Sequence, residues 1–123
     1  MGIIETIKQG KPVPCPVIDT HVHIGACDDA GEFQPFVSLE ETIRYADDIG
    51  IDVLVTSPIT LSFGDMKRTN DEAVEAIRAY PGRIYGNLFV SPSDGYEGAK
   101  AVVDKYSKVD GFVAIKLLTG YFD

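Results

Sequence analysis

Apolar and polar positions along this chain follow two alternating patterns, which predict strands and helices in turn. Short apolar runs rich in β-branched residues predict four buried strands, over residues 16–22, 51–56, 83–90 and 112–118. Between them, apolar residues recur three and four positions apart, which predicts helices over residues 38–49, 70–80 and 93–109. Strands that alternate with helices pair in parallel through right-handed crossovers. The sequence therefore predicts an α/β fold with a parallel sheet.

Local signals mark where the first two of these helices begin and end. Residues 38–41 read Ser-Leu-Glu-Glu and residues 69–72 read Thr-Asn-Asp-Glu, and both fit a capping box at a helix N-terminus. Gly50 and the pair Pro81-Gly82 follow the predicted helices, where glycine and proline commonly end them. We therefore expect these helices to begin near residues 38 and 69.

The first predicted strand carries both histidines of the chain, His21 and His23. Side chains alternate faces along a strand, so both rings should project to one side, with Cα atoms about 6.5–7 Å apart. Two neutral imidazoles at this separation can bind one divalent metal ion. The alternative is a solvent-facing pair without a ligand, because a metal site needs three or four ligands.

Asp19 lies two residues before His21 and is predicted to share its face by the same period of two. Carboxylates commonly orient metal-bound imidazoles, which makes Asp19 a candidate partner of the two rings. The alternative is a carboxylate that accepts hydrogen bonds from backbone amides at the strand end. The sequence leaves both interpretations open.

Composition narrows the possible partners of the chain. Its 123 residues are 45% apolar, with a mean hydropathy of +0.03, which is typical of a globular domain with a core. The formal charge of −8 opposes non-specific binding to nucleic acid or to anionic membranes. No apolar run approaches the ~20 residues of a membrane span. We therefore expect neither a nucleic-acid nor a membrane partner.

The two cysteines, Cys15 and Cys27, indicate neither a disulfide framework nor a Cys-x-x-Cys site. A reducing, cytoplasmic location is the simplest expectation. Cys27 is close enough to His23 in sequence to be a candidate soft metal ligand, and the alternative is an ordinary buried thiol.

Two segments resemble the amidohydrolase superfamily. Residues 16–25, which contain Asp19, His21 and His23, resemble the first barrel strand of that superfamily, where a His-x-His pair binds one or two divalent metals. Residues 70–92 are similar to the amidohydrolase-related branch, which includes hydrolases and relatives of aminocarboxymuconate-semialdehyde decarboxylase. The resemblance implies that His21 and His23 are metal ligands. It also implies a divalent metal, with zinc expected first and manganese, iron or cobalt as alternatives.

The same resemblance implies a (β/α)₈ TIM-type barrel, of which residues 1–123 would form the N-terminal half. A four-stranded doubly wound sheet fits the order of elements equally well. A half barrel leaves its first and last strands open and exposes an apolar face, which favours association. We therefore expect a homo-oligomer or pairing with the missing half, and we expect Ile3, Ile4 and Ile7 to cover the barrel floor.

For the reaction, the resemblance implies a metal-dependent hydrolase in which metal-activated water attacks a C–N or C–O bond of a small molecule. The alternatives are a metal-dependent decarboxylase, which is a lyase of the same branch, and a non-catalytic half barrel that serves as a partner subunit. Metal-dependent deoxyribonucleases and phosphoesterases also begin with Asp-x-His-x-His, but the acidic charge disfavours them. With two protein ligands and no identified general base, we expect this chain alone to bind metal weakly and to turn over little.

Lys116 lies in the last predicted strand, where an ammonium group is costly unless it is paired or modified. Some superfamily members carbamylate a lysine of the fourth strand, but here a pairing with a carboxylate such as Asp19 is favoured. The branch often continues Lys-Leu-His-Pro, whereas residues 116–119 read Lys-Leu-Leu-Thr, which removes a possible histidine.

After the first strand, Phe33 and Phe36 are either substrate-facing aromatics or loop anchors, with the anchor role favoured.

Overall fold

The computed structural model of the protein describes residues 2–25, 37–60 and 65–117. After an N-terminal helix, four strands alternate with three further helices along the described chain, and a 3₁₀ turn at Pro92–Asp94 precedes the last helix. The elements are α1 (Ile3–Lys8), β1 (Ile18–Ile24), α2 (Leu39–Ile49), β2 (Val53–Pro58), α3 (Met66–Ala79), β3 (Ile84–Val90), α4 (Gly95–Tyr106) and β4 (Phe112–Leu117).

The four strands form one parallel sheet in the order β1-β2-β3-β4. This confirms the predicted α/β fold with a parallel sheet, and each predicted strand lies within two residues of its predicted ends. Each strand is added beside the one before it, so the strand order contains no reversal. A doubly wound sheet reverses its order at a switch point, and no such point lies among the described residues.

Pairing between the strands is uneven at their carboxyl ends. β1 and β2 remain paired as far as Ile24 and Pro58, and β3 and β4 remain paired as far as Val90 and Leu117. Between β2 and β3, the last described pair is Thr56 with Gly86. We call the separation of β2 from β3 beyond this pair the β2–β3 gap.

The core lies on one face of the sheet, beneath α2, α3 and α4. Ile24, Ile77 and Ile84 form one buried apolar cluster, against which Leu39 and Ile43 of α2 pack. A second cluster joins α3 and α4 to the end of β3, through Met66, Val74, Leu88, Val90 and Tyr106. Because Ile24 faces this core and side chains alternate along a strand, His21 and His23 lie on the opposite face.

Helix α2 begins as the sequence predicts. The Ser38 side chain accepts a hydrogen bond from the Glu41 amide, and the Glu41 carboxylate accepts one from the Ser38 amide. Gly50 ends the helix in the left-handed conformation, with a φ of 78°. The capping box and the glycine stop are both confirmed.

Helix α3 begins four residues earlier than its predicted start at residue 70, so the second predicted capping box is wrong. Asp65 is the N-cap, and its carboxylate accepts a hydrogen bond from the Arg68 amide. Thr69 and Asn70 lie inside the helix and are completely buried. A pattern that assigns polar residues to a helix start misses the case in which they face the core.

The apolar surface of the chain also differs from expectation. Ile3, Ile4 and Ile7 are more than half exposed, so they do not cover the floor of the sheet. β4 was predicted to be buried, but Val113, Ile115 and Leu117 are also more than half exposed. β4 is one of the two edge strands of the sheet, and the described helices that follow β1, β2 and β3 leave its outer side open. Within the described ranges, no helix is long and apolar enough to cross a membrane.

Candidate metal centre

His21 and His23 project to the same side of β1 and meet at their ring nitrogens. The two Nε2 atoms lie 3.2 Å apart. The ring centroids lie 5.0 Å apart, and the ring planes meet at an angle of 69° in an edge-to-face arrangement. The predicted common orientation of the rings is therefore confirmed. With metal–nitrogen distances of ~2.05 Å, this separation corresponds to a nitrogen–metal–nitrogen angle of about 103°, between octahedral and tetrahedral values.

The backbone of β2 fixes the orientation of the His23 ring. His23 Nδ1 lies 3.0 Å from the Ser57 carbonyl oxygen, and Ser57 is the ladder partner of His23. A carbonyl oxygen only accepts, so Nδ1 carries a proton, and in the neutral ring Nε2 then carries the lone pair. This is the arrangement in which a histidine presents Nε2 to a metal ion while its other nitrogen is held by a hydrogen bond.

His21 Nε2 has two close neighbours with conflicting requirements. Lys116 Nζ lies 3.5 Å from it and can only donate a hydrogen bond, whereas His23 Nε2 offers a lone pair. If His21 Nε2 is protonated, it donates to His23 but repels Lys116. If it is unprotonated, it accepts from Lys116, but then two lone pairs face each other across 3.2 Å. A cation held between the two Nε2 atoms uses both lone pairs, so the donor set fits a metal ion.

The surroundings of His23 favour its neutral form. Desolvation lowers the pKa of His23 below its ordinary value of 6.5, against the opposing effect of the hydrogen bond to Ser57. The nearby His21 and Lys116 lower the pKa of His23 further by charge repulsion. Since a metal ion binds the neutral imidazole, these effects keep the ring in its binding form near neutral pH.

Asp19 contacts the backbone of the histidine strand. Its Oδ1 accepts a hydrogen bond from the His21 amide, at 3.0 Å. The register also changes between Asp19 and Val22, so that Asp19 pairs with Leu54 while His23 pairs with Ser57. Four positions on β1 therefore match three on β2, which breaks the period of two from which a common face was predicted. Of the two roles that the sequence left open for Asp19, the described contact is therefore the hydrogen bond with a backbone amide.

Lys116 comes to this site from the far edge of the sheet. It is partly buried and belongs to β4, which is separated from β1 by two strands. The favoured pairing of Lys116 with Asp19 is wrong for the described residues, since no ion pair joins the two. The sequence could not reveal its neighbour, because contact with His21 depends on how far the sheet curls.

Two further polar residues near the histidine pair were missed from the sequence. Asn87 Nδ2 donates to Ser57 Oγ at 3.1 Å, across the β2–β3 gap, and Ser57 is completely buried. A signal for them existed, because Asn87 interrupts the apolar run of β3 and Ser57 ends the apolar run of β2. Polar residues inside buried strands require a partner, and these two pair with each other.

The described part of the chain supplies two metal-binding side chains at this position. No group of three or more His, Cys, Asp or Glu side chains converges anywhere in residues 2–25, 37–60 and 65–117. Cys15 is exposed and free. The candidate ligand Cys27 and the aromatic residues Phe33 and Phe36 lie outside the described residues.

Comparison with known proteins adds no family to this geometry. No family model matches the chain. No curated protein matches it either. The solved structures likewise contain no match.

Proposed function

We propose that this chain carries part of the metal centre of an amidohydrolase-like enzyme, in which His21 and His23 bind a divalent metal, with zinc first among the candidates. The observation that supports this most directly is the convergence of the two Nε2 atoms, 3.2 Å apart. The fixed Nδ1 proton of His23 adds to it. The remaining coordination positions belong to water or to groups outside the described residues.

The proposed fold is the N-terminal half of a (β/α)₈ barrel. Two observations support it over a doubly wound sheet. The strand order 1-2-3-4 is that of a singly wound barrel. In addition, the edge strands of a flat four-stranded sheet lie about 14 Å apart with side chains roughly perpendicular to it. The 3.5 Å contact of Lys116 with His21 supports a sheet that curls towards the histidine face.

In this proposal each residue has a separate task. His21 and His23 bind the metal, and the Ser57 carbonyl holds the His23 ring in the binding tautomer. Asp19 fixes the backbone of His21. Lys116 forms no ion pair with a described carboxylate, so its ammonium group can hold a negatively charged group of a small-molecule substrate.

The proposed reaction is hydrolysis of a C–N or C–O bond. A bound metal supplies Lewis acidity and lowers the pKa of bound water towards ~7. Decarboxylation, as in other members of the same branch, is the second candidate. The position of Lys116 favours it, because a carboxylated substrate needs a cation beside the metal.

The first experiment is a Zn²⁺ titration of the whole chain in competition with a chromophoric chelator. We expect one zinc per chain, bound weakly because two protein ligands hold it. His21→Ala and His23→Ala should each weaken binding by more than roughly tenfold, because loss of even an outer partner of a metal ligand costs ~10–100-fold. Tyr45→Ala, which removes an exposed ring of α2, is the control and should leave the affinity unchanged.

Zinc uptake that is unchanged in the double variant His21→Ala/His23→Ala would refute the proposed centre. The reaction is tested separately, by incubating the zinc-loaded chain with esters, lactones and amides and, in parallel, with carboxylic acids. Release of alcohol or amine, or opening of the lactone to its hydroxy acid, indicates hydrolysis, whereas release of carbon dioxide indicates decarboxylation. We expect little turnover from this chain alone, so rapid metal-dependent turnover would contradict the proposed incomplete site.

A further inference from the structure

We propose that Asn70 is a positioning residue, which holds the end of β3 and thereby sets Lys116 of β4 opposite the histidine pair. The inference deepens the proposed function and rests on it where metal binding is concerned. It starts from the β2–β3 gap, where the backbone ladder no longer fixes β3 to β2.

The Asn70 side chain replaces the missing strand partner at this gap. Asn70 Nδ2 donates to the Phe89 carbonyl at 2.9 Å, and Asn70 Oδ1 accepts from the Phe89 amide, also at 2.9 Å. Asn70 therefore satisfies both backbone groups of one β3 residue, as a neighbouring strand would. The carboxamide is completely buried, so water cannot take its place without opening the core.

The β3–β4 ladder carries this position on to Lys116. Phe89 is the ladder partner of Lys116, and the ladder is continuous from Asn87 to Val90. The carboxyl halves of β3 and β4 therefore form one paired unit beyond Gly86. β1 and β2 form another, which carries the histidines. The relative position of the two units at this end decides whether Lys116 Nζ reaches His21 Nε2, as it does at 3.5 Å.

Side-chain hydrogen bonds of the described residues link the two units at the gap. Asn87 bridges it directly with its bond to Ser57. Asn70 acts from the helix side, because α3 is packed beneath the sheet and is fixed near β2 by hydrogen bonds of Thr60 to Thr69 and to Glu72. A carboxamide both donates and accepts, as the Phe89 carbonyl and amide require. An aspartate of the same size would set a carboxylate oxygen against the Phe89 carbonyl.

The first test needs no metal. In the wild-type chain, an NMR cross-relaxation signal should connect the His21 ring proton beside Nε2 with the Lys116 methylene beside Nζ, because the two nitrogens lie 3.5 Å apart. Asn70→Ala and Asn70→Asp should lose this signal. Val74→Ala is the matched control, because it removes a buried α3 side chain of the same core cluster without touching the Phe89 backbone bonds, and it should keep the signal.

The second test uses Zn²⁺ alone and a double-mutant cycle. Removing the ammonium group in Lys116→Met should tighten zinc binding roughly fivefold, since it removes a positive charge beside the cation. Asn70→Ala should change zinc affinity in the wild-type background and leave it unchanged in the Lys116→Met background, which is the signature of coupling through Lys116. Val74→Ala should leave it unchanged in both backgrounds.

Retention of the His21–Lys116 signal in both Asn70 variants would overturn the proposal. So would an equal effect of Asn70→Ala on zinc affinity in both backgrounds, because Asn70 would then act on the histidines or on the fold as a whole. If the wild-type chain takes up no zinc, the proposed metal centre fails, whereas the metal-free signal still decides the role of Asn70.

Discussion

Among the acidic side chains of the described residues, Asp71 has the most strongly lowered pKa. Its carboxylate binds Lys67 Nζ at 2.7 Å and accepts a hydrogen bond from the buried Tyr106 hydroxyl, also at 2.7 Å. Lys105 lies 3.4 Å away and also contacts the Tyr106 hydroxyl. These partners, with Lys67 first, hold the pKa of Asp71 at about 2, against an ordinary value of 3.8. The cluster ties α3 to α4.

We predict that Asp71→Asn lowers the free energy of unfolding by about 1 kcal/mol at pH 7. The full shift would imply more, but the side chain is 41% exposed and solvent screens the ion pairs. Because the pKa of Asp71 is lower in the folded chain, its contribution is present above pH 3.8 and is lost as the pH falls towards 2. Urea unfolding of both proteins at pH 7, 5 and 3 measures the difference.

The control for this prediction is Asp104→Asn. Asp104 also pairs with a lysine, Lys100, but both side chains are at least half exposed on α4. Its removal should leave the free energy of unfolding nearly unchanged, because solvent screens so exposed a pair. An Asp71→Asn difference that stays constant from pH 7 to pH 3 would contradict the proposed electrostatic cause.

At the scale of single residues, the sequence predicted what depends on neighbours along the chain. The common side of His21 and His23 follows from strand alternation alone. The face of Asp19 did not follow, because one register shift between Asp19 and Val22 is invisible in the pattern. The contact of His21 with Lys116 joins two edges of the sheet and depends on its curvature.

Among the elements, the junction between α4 and β4 is built around a glycine. Gly111 has a φ of +108°, and a Cβ atom placed there would lie 2.5 Å from Ile77 Cγ2. Its carbonyl oxygen accepts a hydrogen bond from the Gly86 amide, which begins the pairing of β3 with β4. A side chain at position 111 would therefore strain the backbone and also push against the core.

We predict that Gly111→Ala lowers the free energy of unfolding by about 2–4 kcal/mol, as the sum of left-handed strain and overpacking. Gly82→Ala separates the two causes. Gly82 has a φ of +80° but no atom within 4 Å of the added Cβ, so it should lose about 1–2 kcal/mol from strain alone. Urea unfolding measures both, and equal losses would show that Ile77 yields to the added methyl group.

Helix α3 illustrates why the elements could be predicted only in part. Its existence followed from the apolar stripe that includes Ala73 and Ile77, but its start did not. Thr69 and Asn70 look like a helix cap in the sequence, yet both are buried and bond to other elements. Their partners, Thr60 and the Phe89 backbone, are set by tertiary structure that a local pattern cannot contain.

At the scale of the whole molecule, β4 combines an edge position in the sheet with exposed apolar side chains. Val113, Ile115 and Leu117 are more than half exposed, on a strand with one paired side in the described structure. Such an edge offers free backbone groups together with apolar area, which favours pairing with another chain.

We predict that the purified chain associates, so that light scattering gives a mass above 13.4 kDa. Replacing Ile115 and Leu117 together by lysine should shift the population towards the monomer, because charge on an edge strand opposes pairing. Tyr96→Lys adds charge at another exposed position, on α4, and should leave the mass unchanged. A wild-type mass of 13.4 kDa at all concentrations would contradict the prediction.

The parallel α/β architecture could be predicted from the alternation of patterns, because each βα unit shows its own period. Which apolar surfaces are buried could not be predicted from the sequence. Ile3, Ile4 and Ile7 look like core residues but are exposed, since their burial depends on what packs against them rather than on their own hydrophobicity.

The contact between His21 and Lys116 spans 95 positions of the chain. Closing so long a loop costs entropy that nearby pairings do not pay, so this contact should form after the individual strand and helix units. The two histidines are close together in the sequence and therefore close in space early in folding, whereas the ammonium group of Lys116 reaches them last. A chain caught midway through folding would thus meet metal ions with its two imidazoles in place and the opposing positive charge still absent.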